Sequence, residues 1–265
     1  MKKIKTLIIR TAGTNCDRET AHAFAKAGAE VDLVHINRLI ENRASLKNYH
    51  ILAIPGGFTY GDDIASGKIL ANELKFNLKQ QMADFVTRGN LIIGICNGFQ
   101  VLVKMGLLPN IKNSKNYGIE STLSLNDSGK FDARWVHLKK GSMKCMWTNG
   151  LPEIIYLPIA HAEGKFVPKE EEVLKKLKSN EQIVFRYTDE QGQRAGYPAN
   201  PNGSVDDIAG ICDPTGRIMG MMPHPERHIT YLQHPNWRRL SKNGRSMGIG
   251  LRIFKNGVEY ARNRL

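Results

Sequence analysis

Cysteine is scarce and never closely paired. Cys16, Cys96, Cys145 and Cys212 stand far apart with no Cys-x-x-Cys, which argues against a zinc ribbon or a disulfide scaffold and predicts reduced thiols. No apolar run approaches the roughly 20 residues of a membrane-spanning helix; runs such as 51–55 and 91–95 fall far short of it. The basic start Met1-Lys2-Lys3 leads into only a short apolar stretch at 6–9, too brief for a signal peptide, so a cytoplasmic location is expected. Internal repeats and linkers rich in Pro, Gly and Ser are also missing, so one domain over 1–265 is expected. Acids are outnumbered, 25 against 38 basic residues, for a net charge of +13. Such an excess suggests nucleic acid or an acidic protein surface as partner. No helix-turn-helix, zinc finger or RNP-like aromatic pattern accompanies it, so nucleic acid is not expected. The basic residues crowd the ends: Lys2, Lys3, Lys5 and Arg10 face no acid in the first ten residues, and 237–265 holds eight basic residues against Glu259. These ends are expected to steer an acidic protein partner.

What is present is an ordinary foldable composition, 41% hydrophobic and 24% charged. The first half alternates strand-like and helix-like patterns, which predicts a parallel sheet with crossover helices. Strands are predicted at 7–10, 31–36, 51–54 and 91–95. Helices are predicted from a cap at Asn15 or Asp17 to about Ala27, over 68–88 where Leu70, Leu74, Leu78, Met82 and Phe85 recur, and over 100–105. The second half has shorter apolar runs at 121–125, 135–138, 154–159, 183–187, 208–211 and 218–222, read as antiparallel or mixed strands packed on that sheet. Helices are expected at 169–178 and 248–263. The fold class is therefore α/β, an open, mostly parallel sheet with flanking helices and extra antiparallel strands in the second half.

Chemistry concentrates where the 91–95 strand ends. In Gly94-Ile95-Cys96-Asn97-Gly98-Phe99-Gln100 a nucleophilic residue stands between two glycines at a strand-to-helix turn, the arrangement of a nucleophile elbow. At a helix start, unpaired N–H groups and the helix dipole favour a thiolate. A thiol in acyl transfer needs a base and an orienting group. Pro223-His224-Pro225-Glu226 offers both: the prolines keep His224 extended, and the spacing puts His224 and Glu226 on one side. Metal binding is the alternative for this stretch, because His224, Glu226 and His228 alternate and His161 and Glu163 add ligand types; without Cys-x-x-Cys or His-Glu-x-x-His, no metal is expected. For an oxyanion hole, Asn97 supplies one N–H, and Gly56-Gly57 after a neighbouring strand can bring a second close. Cys16 sits in an Asn-Cys-Asp turn without an elbow and is not expected to be the nucleophile. His161 and Glu163 either border the pocket or satisfy turn hydrogen bonds.

These segments, together with 55–63 (Pro-Gly-Gly-Phe-Thr-Tyr-Gly-Asp-Asp) and Pro223-His224-Pro225-Glu226-Arg227, resemble the class I, triad-type glutamine amidotransferases. With Gly13-Thr14-Asn15-Cys16-Asp17, Ala160-His161-Ala162-Glu163-Gly164 and 197–204, the likeness is to the glutaminase subunits of phosphoribosylformylglycinamidine synthase, and it covers nearly the whole chain. Ala162 stands where that pattern has glycine. The resemblance implies a flavodoxin-like fold and attack by Cys96 on the glutamine side-chain amide. It also implies proton transfer by His224, orientation by Glu226, an oxyanion site at Gly57 and Asn97, and substrate contacts that include Gly56 and Gln100. Ammonia would pass to a synthetase subunit, with a small subunit also in the assembly. ATP and magnesium are expected on the synthetase and no cofactor on this chain. A free-standing cysteine hydrolase similar to γ-glutamyl hydrolases is the alternative on the same fold.

Overall fold

Three short strands fix the centre of the molecule, because each is apolar and buried at every position. They are β3 (Ile51–Ile54), β4 (Leu91–Ile95) and β11 (Ile218–Met221). The computed structural model describes residues 2–113, 118–239 and 247–265. In chain order the remaining elements of the first half are β1 (Lys5–Arg10), α1 (Asp17–Lys26), β2 (Glu30–His35), α2 (Ile36–Ile40), α3 (Lys68–Asn72), α4 (Lys79–Thr87) and α5 (Asn97–Met105). The second half adds β5 (Ser121–Leu125), β6 (Asp132–Lys140), β7 (Ile154–His161), β8 (Glu163–Pro168), α6 (Glu171–Ser179), β9 (Ile183–Thr188), β10 (Ile208–Cys212) and α7 (Gly250–Arg264).

A nine-stranded sheet runs β2-β1-β3-β4-β11-β10-β9-β6-β7, and β5 pairs with β8 in a second, two-stranded sheet. The first five strands are mutually parallel; β10, β9, β6 and β7 follow through antiparallel pairs. The strands of the second half were expected to pack on the sheet; most instead extend it edge to edge, which satisfies their backbone groups without a second layer. Register then places the site. Ile54 pairs with Gly94 and Met221 with Ile95, so β3, β4 and β11 end side by side and release Gly56, Cys96 and His224 at one edge. The sheet's far edge returns to this point, where the His224 N–H donates to the Pro158 carbonyl of β7 at 2.8 Å.

The continuous helix predicted over 68–88 is broken. Helix α3 passes into a π-helical turn at Glu73–Asn77, and α4 restarts after Leu78, whose φ of −113° is not helical. The apolar residues explain this. Leu70, Leu74, Leu78 and Met82 repeat every four positions, and on a 3.6-residue helix such a row drifts by about 40° per step. A wide turn restores the alignment and keeps all four buried. At α1 neither Asn15 nor Asp17 is the cap: Cys16 holds the cap position without a side-chain cap hydrogen bond, and Asp17 is engaged by Arg10 at 2.5 Å. Several charges of the basic ends are likewise paired within the chain, Lys3 with Glu30 and Arg252 with Glu259, while Lys242 and Arg245 lie outside the described residues. No described helix is long and apolar enough to cross a membrane.

Candidate active site

Cys96 occupies the turn between β4 and α5 with φ 50° and ψ −106°, a conformation uncommon for a residue with a side chain. The surroundings hold it there. Its N–H donates to the Met221 carbonyl at 2.8 Å, and its carbonyl accepts from the N–H groups of Phe99 and Gln100. Both flanking glycines are required by close approach: a Cβ on Gly98 would lie 1.9 Å from the Ile54 carbonyl oxygen, and one on Gly94 would lie 2.5 Å from the Gly98 oxygen. The glycine spacing of the sequence is thus the imprint of α5 pressed against β3 and β4.

His224 and Glu226 are buried, and Nδ1 of the imidazole meets Glu226 Oε1 at 2.6 Å. The pairing arises through a turn. His224 is extended as expected, but Pro225–Arg227 form a 3-10 turn that folds Glu226 back onto the ring. Burial opposes the imidazolium, yet Glu226 and the thiols of Cys96 and Cys16 outweigh it and hold His224 well above the ordinary histidine value. Nε2 has no hydrogen-bond partner among the described residues. Gly56 makes this meeting possible, since a Cβ there would lie 2.7 Å from His224 Cε1 and 3.4 Å from Cys96 Cβ.

Cys16 also lies here, which its sequence context did not disclose. Its thiol donates to Asn15 Oδ1 at 3.1 Å and accepts from the Arg227 guanidinium at 3.1 Å. Burial and Glu226 push the Cys16 thiol up, against the lowering influence of His224 and Arg227, so its thiolate is disfavoured. Cys16, His224 and Glu226 are the one group of His, Cys and acidic side chains among the described residues whose ligand atoms fall within 4.8 Å of one another. Arg227 and the His224–Glu226 hydrogen bond already occupy that group. The other metal set considered from sequence is not assembled, because His228 turns to the Tyr156 carbonyl and packs its ring on Trp135.

The oxyanion candidates flank the nucleophile. Asn97 opens α5, so its N–H has no intrahelical acceptor. Gly57 has a φ of 142°, and its N–H makes no main-chain hydrogen bond among the described residues. The Gly13–Asn15 loop supports it, through a Phe58 N–H to Gly13 carbonyl bond of 2.9 Å and a Thr14–Gly57 bridge. The Asn97 side chain accepts from the Thr59 hydroxyl at 2.6 Å and donates to Asp62 and Gln100 at 3.0 Å; Gln100 Nε2 donates to the Glu163 carbonyl at 2.6 Å. Gln100 therefore ties the elbow helix to β8, a strand absent from the sequence reading. A cavity of about 100 Å³ results, lined by Gly57, Asp62, Cys96, Gln100, His161 and Glu163 among others. Two larger clefts beside Tyr156, of about 410 and 540 Å³, contain no triad residue.

The Ala160–Gly164 motif forms the far wall. Ala162 has no positive φ, so glycine is not needed there, whereas a Cβ on Gly164 would lie 2.4 Å from His161 Cε1. Asn202 and Ser204 brace this wall from behind, with the Ser204 hydroxyl accepting the Phe166 N–H at 2.9 Å.

Comparison with known proteins identifies the family and the fold. The model of the CobB/CobQ-like glutamine amidotransferase domain matches residues 3–261. The chain is 48% identical to the phosphoribosylformylglycinamidine synthase subunit PurQ of Dehalococcoides mccartyi over 99% of both chains. It is 43% identical to that of Archaeoglobus fulgidus over 98% of this chain and 97% of that one. Among solved structures, a chain of PurLQS from Thermotoga maritima superposes with a TM-score of 0.73 at 30% identity, covering 98% of this chain and 99% of that one. A glutamine amidotransferase from Thermotoga maritima, at 13% identity, TM-score 0.56 and coverage of 98% and 99%, shares the fold.

Proposed function

Since the chain belongs to the family of phosphoribosylformylglycinamidine synthase PurQ subunits, within the CobB/CobQ-like glutamine amidotransferases, we propose the following division of labour among its residues. The chain is the glutaminase of that synthase and serves purine biosynthesis beside the synthetase subunit PurL and the small subunit PurS. Cys96 is the nucleophile: its sulfur attacks the side-chain carbonyl carbon of glutamine while His224 takes the thiol proton. The N–H groups of Gly57 and Asn97 hold the oxyanion. His224 returns its proton to the departing nitrogen, which leaves as ammonia, and a thioester remains on Cys96. Water then attacks the thioester, again through His224, and glutamate departs. Glu226 holds the imidazole through Nδ1 and balances its charge.

The observation that carries this reading is the convergence of Cys96, His224 and Glu226 at the ends of two adjacent parallel strands, with Gly56 clearing the space between them. This thiol chemistry draws on no metal; the ATP-driven amination and its magnesium fall to the synthetase. The chain acts as one domain in the cytoplasm, and its basic ends steer it toward an acidic surface of the partner. In the assembled enzyme, Cys96→Ala abolishes glutamine-dependent synthesis and leaves ammonia-dependent synthesis intact. Loss of both, or of neither, contradicts the assignment. A free-standing hydrolase would instead show the same glutamine turnover with and without the synthetase.

A further inference from the structure

Behind the triad stands the start of α1, and none of Asn15, Cys16, Glu19 or Arg227 lines the cavity beside Cys96. Cys16 is fixed there by its main chain. Its N–H donates to the Gly56 carbonyl at 3.2 Å, and its carbonyl accepts from the Thr20 N–H at 3.0 Å and the Thr20 hydroxyl at 2.7 Å. The buried sulfur thus has a set position, where it accepts a hydrogen bond from Arg227 Nη2 at 3.1 Å. Arg227 Nε reaches Glu19 Oε2 at 3.4 Å. Cys16 and Glu19 are three positions apart, so both face the same side at the start of the helix, and the planar fork of one guanidinium spans them.

The other end of this bridge is the turn that carries the orienting carboxylate. Pro225–Arg227 is a single 3-10 turn, closed by a 3.1 Å bond from the His228 N–H to the Pro225 carbonyl and a 3.3 Å bond from the Arg227 N–H to the His224 carbonyl. So short a turn has little rigidity of its own. Within it Glu226 is buried, with Oε1 on His224 and Oε2 without a hydrogen-bond partner among the described residues. A buried carboxylate with a bare oxygen needs positive charge beside it. His224 supplies that charge only while protonated, and a general base must be neutral for part of each cycle. Arg227 is charged throughout. The groups that bear on its guanidinium are Cys16 and Glu19 at the start of α1 and Glu226 of its own turn. Among the described residues no hydrogen bond or ion pair reaches its side chain from α7 or β7, which also pack on the turn. Ligand atoms of Cys16, His224 and Glu226 lie within 4.8 Å of one another, and Cys96 bears on His224 beyond them.

We propose that Arg227 is a positioning residue for the triad: from outside the cavity it pins the Glu226 turn to α1 through the Cys16 sulfur and Glu19, and it supplies a permanent positive charge beside the His224–Glu226 pair. The inference rests on the glutaminase reading above and extends it to residues that never meet glutamine. It also gives a role to the arginine that follows Pro-His-Pro-Glu and to the cysteine of the Asn-Cys-Asp turn.

The test is the pH profile of glutamine-dependent synthesis in the assembled enzyme, for wild type, Arg227→Met and Arg227→Lys. Arg227→Met keeps the length of the side chain and removes its charge and donors. It lowers kcat for glutamine by roughly 10- to 100-fold with KM within about 3-fold, and leaves ammonia-dependent synthesis intact. Removing a cation makes the groups around it hold their protons to higher pH, and turnover requires the thiol–imidazole pair to have lost one, so the acid limb of kcat moves up by about 0.5–1 pH unit. Arg227→Lys keeps the charge without the fork: the limb returns to its wild-type position while kcat recovers only in part. Wild-type kcat in Arg227→Met overturns the proposal. So does a fall in kcat with the acid limb unmoved, which would make the bridge a scaffold only, and so does a rise in KM alone, which would place Arg227 at the substrate. Should Arg227→Met fail to assemble, Arg227→Lys decides by itself, since a wild-type kcat there removes the need for the fork. Failure of the wild type to release ammonia from glutamine at all would refute the glutaminase reading instead, and the two failures are thereby distinguished.

Discussion

Gly56→Ala probes the meeting of Cys96 and His224 without touching either. The new Cβ would stand 2.7 Å from His224 Cε1, 3.3 Å from Cys16 Sγ and 3.4 Å from Cys96 Cβ. Carbon atoms settle at about 3.5–4.0 Å, so the imidazole has to retreat by about 1 Å. It has nowhere easy to go, being buried and fixed to Glu226 at 2.6 Å. Gly56 does not have a positive φ, so alanine adds no backbone strain and the effect is confined to contact. Displacement of a catalytic group by about 1 Å costs on the order of 10²-fold in rate. Overpacking of this kind costs about 1–3 kcal/mol, which for a chain of this size lowers Tm by roughly 3–10 °C. The assay is glutamine-dependent against ammonia-dependent synthesis in the assembled enzyme, with a thermal scan of the free chain. The expected result is a glutamine-specific loss on that scale. Near wild-type glutamine turnover would refute the placement of His224, and an equal loss with ammonia would mean general damage.

His224→Ala removes the base and lowers glutamine turnover by several orders of magnitude. Glu226→Gln retains more activity, and the double variant is little worse than His224→Ala, because triad members act as a unit; losses that multiply, measured by steady-state kinetics, would mean independent roles. Stability depends on pH through His161, whose pKa falls from 6.5 unfolded to about 4 folded. Below pH 6.5 the unfolded chain gains a proton that the native ring refuses, so stability is full above that value and declines as pH falls to about 4. The decline amounts to about 3 kcal/mol for a group buried to this degree. Urea unfolding at about pH 7.5 and about pH 4.5 should show a shallower decline in His161→Gln; an unchanged slope would contradict the burial argument. The raised pKa of His224 acts oppositely, stabilising the fold at low pH and ceasing to do so as pH rises through its folded value.

The parallel half of the sheet was legible because β3 and β4 are uninterrupted apolar runs bounded by glycine, and buried strands leave that pattern. The elbow was legible because Gly94 and Gly98 answer a steric demand that only their absent side chains meet. Other features left weaker traces. Strand β8, Glu163–Pro168, has a short mixed sequence whose partner β5 lies some forty residues earlier, and local patterning does not reveal such pairing. The π turn hides inside a helical periodicity that differs from 3.6 by a fraction of a residue. Cys16 reaches the triad only because β1 and β3 are neighbours, which brings the Gly13–Asp17 loop against Gly56 and Gly57. Likewise 197–204 matched a motif without a role; in three dimensions Asn202 and Ser204 brace Gly164 and, through it, His161.

Two thiols now lie within reach of one histidine, so the central claim is that Cys96 and not Cys16 carries the acyl group. Incubation of the assembled enzyme with a glutamine-analogue electrophile, followed by peptide mass mapping, decides between them. The account predicts modification of Cys96 with Cys16 unmodified, and protection by glutamine. Modification of Cys16 with Cys96 untouched would contradict it.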